Sequence, residues 1–472
     1  MDAPPTMPPS HTDAHVLPDG AGSLKELLWV AIPLMISSGS LSAMGIIDRL
    51  LITGLSMDAL AASMPAGMLH WTIMSIPFGI VTYVNTFVAQ YEGAGRKEQV
   101  AACIWQGLWL SLLGGLAIIL LIPLTRLVFQ YNGHQPAVQK LEIGYYTVLA
   151  FGSAPMLASN VLAAFFSGRG RTITVMLVYL AAMVVNAILD YVLIFGWGPI
   201  PQLGMSGAAL ATVLANVAIC AIFAWLARRE GRLFAYPFRQ QLSWNPKLLW
   251  RMFQYGLPNG IQMMIDVGAY FVFVSVTGVI GPEALAATNL AFNLNSMAFV
   301  PMFGMGTAVL SLVGRRVGEL RADLAVRTTW LAAGLSVTYM AIFGVLYVGL
   351  PDLLLAPYAH FALRSSSPEE FEAIRPIVIV LLRFVATYSL FDALAIVFGH
   401  AIRGAGDVRY SLVLTSVLAW SVMAVPCIVM AYVFPASLYG CWIAATANIV
   451  LLGLGMMWRF HAGHWRSLRV ID

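Results

Sequence analysis

The sequence predicts an all-α membrane protein whose twelve transmembrane helices form two pseudo-symmetric six-helix lobes. Three observations carry that prediction. Of the 472 residues 60% are hydrophobic and 10% charged, against about 25% charged in soluble chains. Apolar runs of about the 20 residues needed to cross a hydrocarbon core recur along the whole chain. The two halves also resemble each other at a fixed offset. The apolar runs are continuous, without the period-two alternation of barrel strands, which selects helices.

In chain order the spans fall near 27–51, 66–90, 101–123, 143–166, 173–196, 205–227, 252–280, 287–313, 328–350, 376–400, 410–433 and 437–458. The opening stretch MDAPPTMPPSHTDAHVLPDGAG is proline-rich and lacks Lys and Arg, so it has no basic signal-peptide start. Residues 1–24 read as a disordered cytoplasmic tail. An N-terminal lobe over 25–227, a basic cytoplasmic linker over 228–251, a C-terminal lobe over 252–460 and a cytoplasmic tail over 461–472 complete the layout.

Basic residues set the orientation. Most of the 26 fall in the connections on the side of the N-terminus, six of them in the linker (Arg228, Arg229, Arg232, Arg239, Lys247, Arg251). The opposite connections hold Arg126, Lys140, Arg364 and Arg375, while Arg49 and Arg383 fall within helices. This bias places both termini in the cytoplasm of a multi-pass protein of the bacterial inner (plasma) membrane. The net charge of +4 therefore reports topology and gives no reason to expect nucleic acid. Cys103, Cys220, Cys427 and Cys441 are dispersed without a CxxC pair, which argues against a metal or disulfide role.

The repeat is explicit. DALAAS at 58–63 matches EALAAT at 283–288 at an offset of 225, which also pairs Phe78 and Gly79 with Phe303 and Gly304, Gly93 with Gly318 and Arg96 with Arg321. Gly168 and Gly170 pair with Gly404 and Gly406 at an offset of 236, so an insertion is expected between, in the polar stretch Arg364–Phe371. Six helices per repeat is an even number, so the repeat is parallel about an axis along the membrane normal. Two such bundles rocking about a central cavity suit alternating access.

Four carboxylates, Asp48, Asp190, Asp266 and Asp392, lie well inside the predicted helices, and the other acids fall in tails, loops or helix ends. A charge at mid-bilayer costs roughly 2.5–3.5 kcal/mol on insertion scales, so these groups should face a cavity, pair, or titrate. For Asp48 the alternative is a structural ion pair with Arg49. Asn186 and Asp190, at i and i+4, project from one helix face. With Thr212 of the next helix they offer hard oxygen donors for a small cation, or a carboxylate that carries a proton. Pro33 and Pro258 each remove a backbone hydrogen bond and allow a helix to bend. His70 and His400 lack a partner at i+3 or i+4 and read as packing or interfacial residues. Some of the methionines and aromatics could line an adaptable pocket for cations.

Taken together these features resemble the multidrug and toxic compound extrusion (MATE) family from about residue 25 to 460. The motifs that carry the resemblance are Pro33 with Asp48, DALAAS, QYEGAG at 90–95, GRGRT at 168–172, NAILDYVLIFG at 186–196 and GAALAT at 207–212. GLP at 256–258, EALAAT, and Phe391-Asp392 followed by RGAGD carry it in the second half. The resemblance implies two six-helix lobes that work as a monomer and exchange small organic cations for Na+ or H+, with no cofactor besides the coupling ion. It places the family's N-lobe cation site, able to hold Na+, on Asp48, Asn186, Asp190 and Thr212. The C-lobe acidic pair falls on Asp266 and Asp392; some members have Glu at the first of these positions. A lipid-linked oligosaccharide flippase is the alternative of related architecture, but it needs a strongly basic cavity, and the within-helix charges here are mostly acidic. An integral membrane enzyme would show clustered His, Asp and Glu or a nucleotide motif. With no P-loop, ATP is not the driver.

Overall fold

A computed structural model describes residues 20–131, 134–364, 368–432 and 437–471; most of the tail expected over 1–24, and residues 365–367 of the insertion expected near 364–371, lie outside them. Seventeen α-helices follow in order: α1 (Leu24–Thr53), α2 (Met57–Thr82), α3 (Val84–Gly93), α4 (Lys97–Leu120), α5 (Ile122–Tyr131), α6 (Pro136–Phe151), α7 (Ser153–Ser167), α8 (Thr172–Phe195) and α9 (Met205–Leu233) in the first half, then α10 (Pro246–Ile280), α11 (Pro282–Gly318), α12 (Ala322–Gly349), α13 (Pro351–Arg364), α14 (Pro368–Ala405), α15 (Val408–Leu418), α16 (Val425–Tyr432) and α17 (Leu438–His461) in the second. Eleven helices are long and apolar enough to cross a membrane, and α6 with α7, bent by 41°, makes the twelfth. The expected spans appear in the expected order. Several begin earlier than expected, the second at Met57, the fourth at Pro136 and the tenth at Pro368, and the fourth also bends at Gly152. A side chain at Gly152 would collide with Val213 of α9, so the bend sits where the neighbouring helix approaches.

Local chemistry sets the helix ends. Ser23, Ser56, Asn245 and Ser437 each accept a hydrogen bond from a first-turn backbone N–H, and Pro136, Pro246 and Pro282 occupy first helical positions, where the missing N–H costs nothing. Inside α1, Pro33 leaves the carbonyl of Trp29 without its helical donor. The Thr172 hydroxyl at the start of α8 donates to that carbonyl at 3.3 Å, so the proline break is also a contact between helices.

The two halves meet along a seam of glycines. Gly79 on α2 presses on the backbone of Asn259 and Gly260 on α10, and Gly304 on α11 presses on that of Leu34 and Met35 on α1. Gly93 lies against the Arg315 carbonyl and Gly318 against that of Gln90. At the offset of 225 each contact is the repeat image of its partner: 79 maps to 304, 34 and 35 to 259 and 260, 93 to 318, and 90 to 315. None of these positions has room for a methyl group, so only glycine allows the approach.

Hydrogen bonds close the seam at the end that carries the basic connections. The Asn85 amide donates to Ser311 Oγ at 2.9 Å, the Tyr83 hydroxyl to the Arg403 carbonyl at 2.7 Å and the Gln90 amide to the Gly404 carbonyl at 2.9 Å. A buried ion pair joins Glu26 to Arg316. The C-terminal segment also docks here. Trp465 is buried and stacks on Phe460, and the Val470 N–H donates to Gln90 Oε1 at 3.0 Å. Residues read from the sequence as a tail are therefore a strap tying the end of the chain to the first half.

Overpacking a tight core contact costs about 1–3 kcal/mol. Gly318→Leu is expected to lower the melting temperature of the purified protein by several degrees, whereas Gly334→Leu, at an exposed position with nothing within 4 Å of a new side chain, leaves it unchanged; differential scanning fluorimetry reads both.

Candidate functional site

The first half brings four of the expected residues together. α8 is buried on the face that carries Asn186 and Asp190, both 0% exposed. Asp48 reaches them from α1 and Thr212 from α9. The Thr212 hydroxyl lies 3.3 Å from Asp48 Oδ2 and 3.2 Å from its own Ala208 carbonyl. With its amide turned so that nitrogen faces the carboxylates, Asn186 donates to Asp48 Oδ1 and to Asp190 Oδ2, 3.1 Å each. Asp190 Oδ1 has no hydrogen-bond partner among the described residues. Arg49 is exposed; Asp48 feels its charge, but the two form no ion pair among the described residues.

Sequence reasoning missed one neighbour. Tyr145 of α6 stands close enough to feel the charges of both Asp48 and Asp190. Its ring packs with Leu141 against Ile52, Ile194 and Ala208 around the cluster. Chemically the cluster offers two carboxylates, one amide and one hydroxyl, with Asn186 and Asp190 fully buried and Asp48 and Thr212 half-buried. That donor set fits a hard monovalent cation or a shared proton. With only two acids the cluster is not a group of three or more His, Cys, Asp or Glu placed to hold a metal ion, and among the described residues there is none.

The second half is built differently. Asp266 is exposed on α10 and Asp392 half-buried on α14, and among the described residues they form no hydrogen bond with each other. Asp392 has Tyr388 one turn before it, a buried phenol that receives a hydrogen bond from Asn295 at 3.4 Å. Asp266 feels the charge of Arg403, which itself donates to Asn259 Oδ1 at 3.2 Å. Asn259 passes the link across the seam to the Gly79 carbonyl at 2.7 Å. His400 has a neighbour the sequence reading overlooked: Arg403, at i+3, brings Nη2 to 3.1 Å from the His400 Nδ1.

The GRGRT motif proves to be a clasp. Arg169 donates to Glu230 Oε2 at 2.8 Å and to the Tyr236 hydroxyl at 2.9 Å, and Arg171 donates to Glu230 Oε1 at 2.8 Å. The Arg169 guanidinium lies 4.4 Å from the centres of both the Phe165 and Tyr236 rings. Burial pushes the Tyr236 phenol above its usual range, so it stays protonated and donates to Glu92 of the QYEGAG motif at 2.8 Å. Trp105 and Gln106 of α4 donate to the Phe238 and Ser243 carbonyls at 2.7 and 3.0 Å. The linker is thereby pinned to the first half.

Comparison with known proteins agrees with this architecture. The MatE family model matches residues 33–192 and again 258–429, two matches that begin at the repeat offset. The chain is 27% identical over 463 residues to "Probable multidrug resistance protein NorM" of Pseudomonas putida, covering 97% of each. It is 26% identical over 437 residues to "Multidrug resistance protein NorM" of Burkholderia vietnamiensis, covering 92% of each. A solved structure described as the outward-facing conformation of a multidrug resistance MATE family transporter superposes with a TM-score of 0.82 at 22% identity, over 93% of this chain and 96% of that one; at that identity it speaks for the fold.

Removing one partner of a buried ion pair costs about 3–5 kcal/mol. Arg169→Ala is expected to cut the yield of monodisperse protein in fluorescence-detected size exclusion, and Arg171→Ala, on the more exposed side of Glu230, to cut it less.

Proposed function

The chain belongs to the MatE family, and from that premise we propose that it is a secondary active multidrug efflux transporter that exports organic cations in exchange for Na+ or H+. The observation that supports this most directly is the first-half cluster. Asp48 and Asp190 converge on one amide, with Asp190 fully buried and Asp48 half-buried, and a carboxylate pair at bilayer depth favours a cation or a proton between its members. Asp48, Asn186, Asp190 and Thr212 are the coupling residues in this reading, and Na+ would take their oxygens. Asp266 and Asp392 are the acids of the second half that an organic cation meets.

The orientation follows from the basic connections. Both termini face the cytoplasm of a bacterial inner membrane, the halves 25–227 and 252–460 are joined by the linker 228–251, and the protein works as a monomer. The sealed seam then lies on the cytoplasmic side, with release possible only outward. Ion and drug are linked through the carboxylates, so binding one lowers affinity for the other. Pro33 allows α1 to bend about four turns before Asp48, and Pro258 allows α10 to bend about two turns before Asp266. A tenfold ion gradient supplies about 1.4 kcal/mol; each net charge moved through 100 mV adds ~2.3 kcal/mol.

The test is ethidium efflux from proteoliposomes with sodium and pH gradients imposed separately. Efflux is expected under one of them, and Asp190→Asn and Asp392→Asn, equally well folded, are each expected to lower its rate at least about tenfold, the effect of roughly 1.4 kcal/mol. Unchanged rates in both variants would sink the reading.

A further inference from the structure

A second polar cluster lies on the next face of α6, away from the carboxylate pair. Glu142 is completely buried, a turn and a half inside α6. Its Oε1 lies 2.8 Å from His134 Nδ1, while its Oε2 has no hydrogen-bond partner among the described residues. Tyr146 follows at i+4 on the same face. It is 1% exposed, and its hydroxyl also lacks a partner among the described residues. Across from it on α2, the buried His70 ring meets Tyr146 edge-on at 5.9 Å, and His70 Nδ1 is unpartnered among the described residues as well. The nearby Thr125 hydroxyl of α5 gives its proton to the Ile122 carbonyl at 2.9 Å.

Three buried polar atoms without protein partners, on two packed helices, form the kind of site that ordered water fills. The cluster reaches the surface at His134. His134, with 36% of its side chain exposed, sits in the α5–α6 connection, at the end of the bundle opposite the sealed seam. The other charged groups on these elements, Asp58 of α2, Arg126 of α5 and Lys140 of α6, are exposed. The Asp48 and Asp190 pair is screened by Tyr145 on the adjoining face of α6.

We propose that Glu142 is a second proton-binding site of the first half, loaded from the outer face through His134 and held with water by Tyr146 and His70. A hydronium ion protonates His134 Nε2. The Nδ1 proton then crosses to Glu142 Oε1, leaving a neutral imidazole, a carboxylic acid and one released water. Imidazole is the side chain suited to such transfer near neutral pH. The neutral acid's free oxygen then joins the water shared with Tyr146 and His70. This deepens the antiport reading and rests on it for a role in transport, because protonation removes a charge beside α2, one of the helices that form the seam.

Infrared pH titration of the purified full-length protein, without drug, tests the site. A carboxylic-acid carbonyl band that titrates is expected in wild type and in Asp190→Asn, is lost in Glu142→Gln, and returns shifted in Glu142→Asp. Ethidium-induced proton release, read with a pH indicator dye, is expected to fall by about one proton per protein in Glu142→Gln, and the rise of ethidium affinity with pH to become correspondingly shallower. An identical band in wild type and Glu142→Gln would overturn the proposal and leave Glu142–His134 as a structural clasp. Wild type that titrates this band but neither binds nor exports ethidium would count against the antiport reading instead, because the titration needs no drug.

Discussion

Hydrocarbon offers no hydrogen bonds, so every polar group that enters the bilayer must be answered from within the protein. That constraint organises what the chain does with its few charged residues. Arg169, Arg171 and Glu230 answer one another at the edge of the first half. Glu26 and Arg316 do so across the seam. Among the buried polar atoms left without a partner in the described residues are two carboxylate oxygens, Asp190 Oδ1 and Glu142 Oε2, and a carboxylate, unlike the Arg171 and Arg316 nitrogens on the same footing, can be answered by taking up a proton or a cation. The same rule that makes a paired arginine a scaffold makes an unpaired carboxylate a candidate for chemistry.

The repeat governs backbone and chemistry differently. The seam obeys it closely, because glycine-to-carbonyl contacts at 93 and 318 are one contact made twice. The carboxylates do not obey it: at the offset of 225, Asp48 falls on Phe273 and Asp266 on Leu41. A pseudo-twofold seam suits halves that rock as equals, while in the proposed antiport the unequal acids would let an ion and an organic cation act on different halves. Symmetry serves the motion and its violation serves the coupling.

Much of this was legible in the sequence, for physical reasons. A span is a property of some twenty consecutive residues, so composition finds it, and the i, i+4 relation of Asn186 and Asp190 needs only a helix. What escaped depended on contacts between distant segments or on a helix end. Starting the fourth span at 143 left Glu142 outside, whereas the helix begins at Pro136, and the acid that looked like a loop residue is fully buried. Tyr145 and Tyr388 carry no signal among many aromatics until packing sets them beside acids. Arg403 was visible three residues after His400, but a search for histidine partners had overlooked a cation. The strap at 464–471 reads as an ordinary basic tail, and only Gln90, some 380 residues away, shows what it is for.

The seam also sets the scale of the transport cycle. Among the described residues seven hydrogen bonds made by side chains cross it: Asn85 to Ser311, Tyr83 to Arg403, Gln90 to both Gly404 and Ala405, Asn259 to both Gly79 and Thr82, and the Val470 N–H to Gln90. At about 1 kcal/mol net for each, together with the buried Glu26–Arg316 pair, they outweigh the ~1.4 kcal/mol that a tenfold ion gradient contributes. An ion cannot therefore open the seam by force. The alternative state must make contacts of similar worth at the opposite end, so that the two arrangements differ by only a few kcal/mol. Occupancy of a carboxylate then needs only to tip that balance. The placement of the carboxylate pair fits such a role, because α1 carries Asp48 near one end and, through Met35 against Gly304, part of the seam near its middle. A change of charge at Asp48 and a change in how α1 bends at Pro33 are then coupled along a single helix.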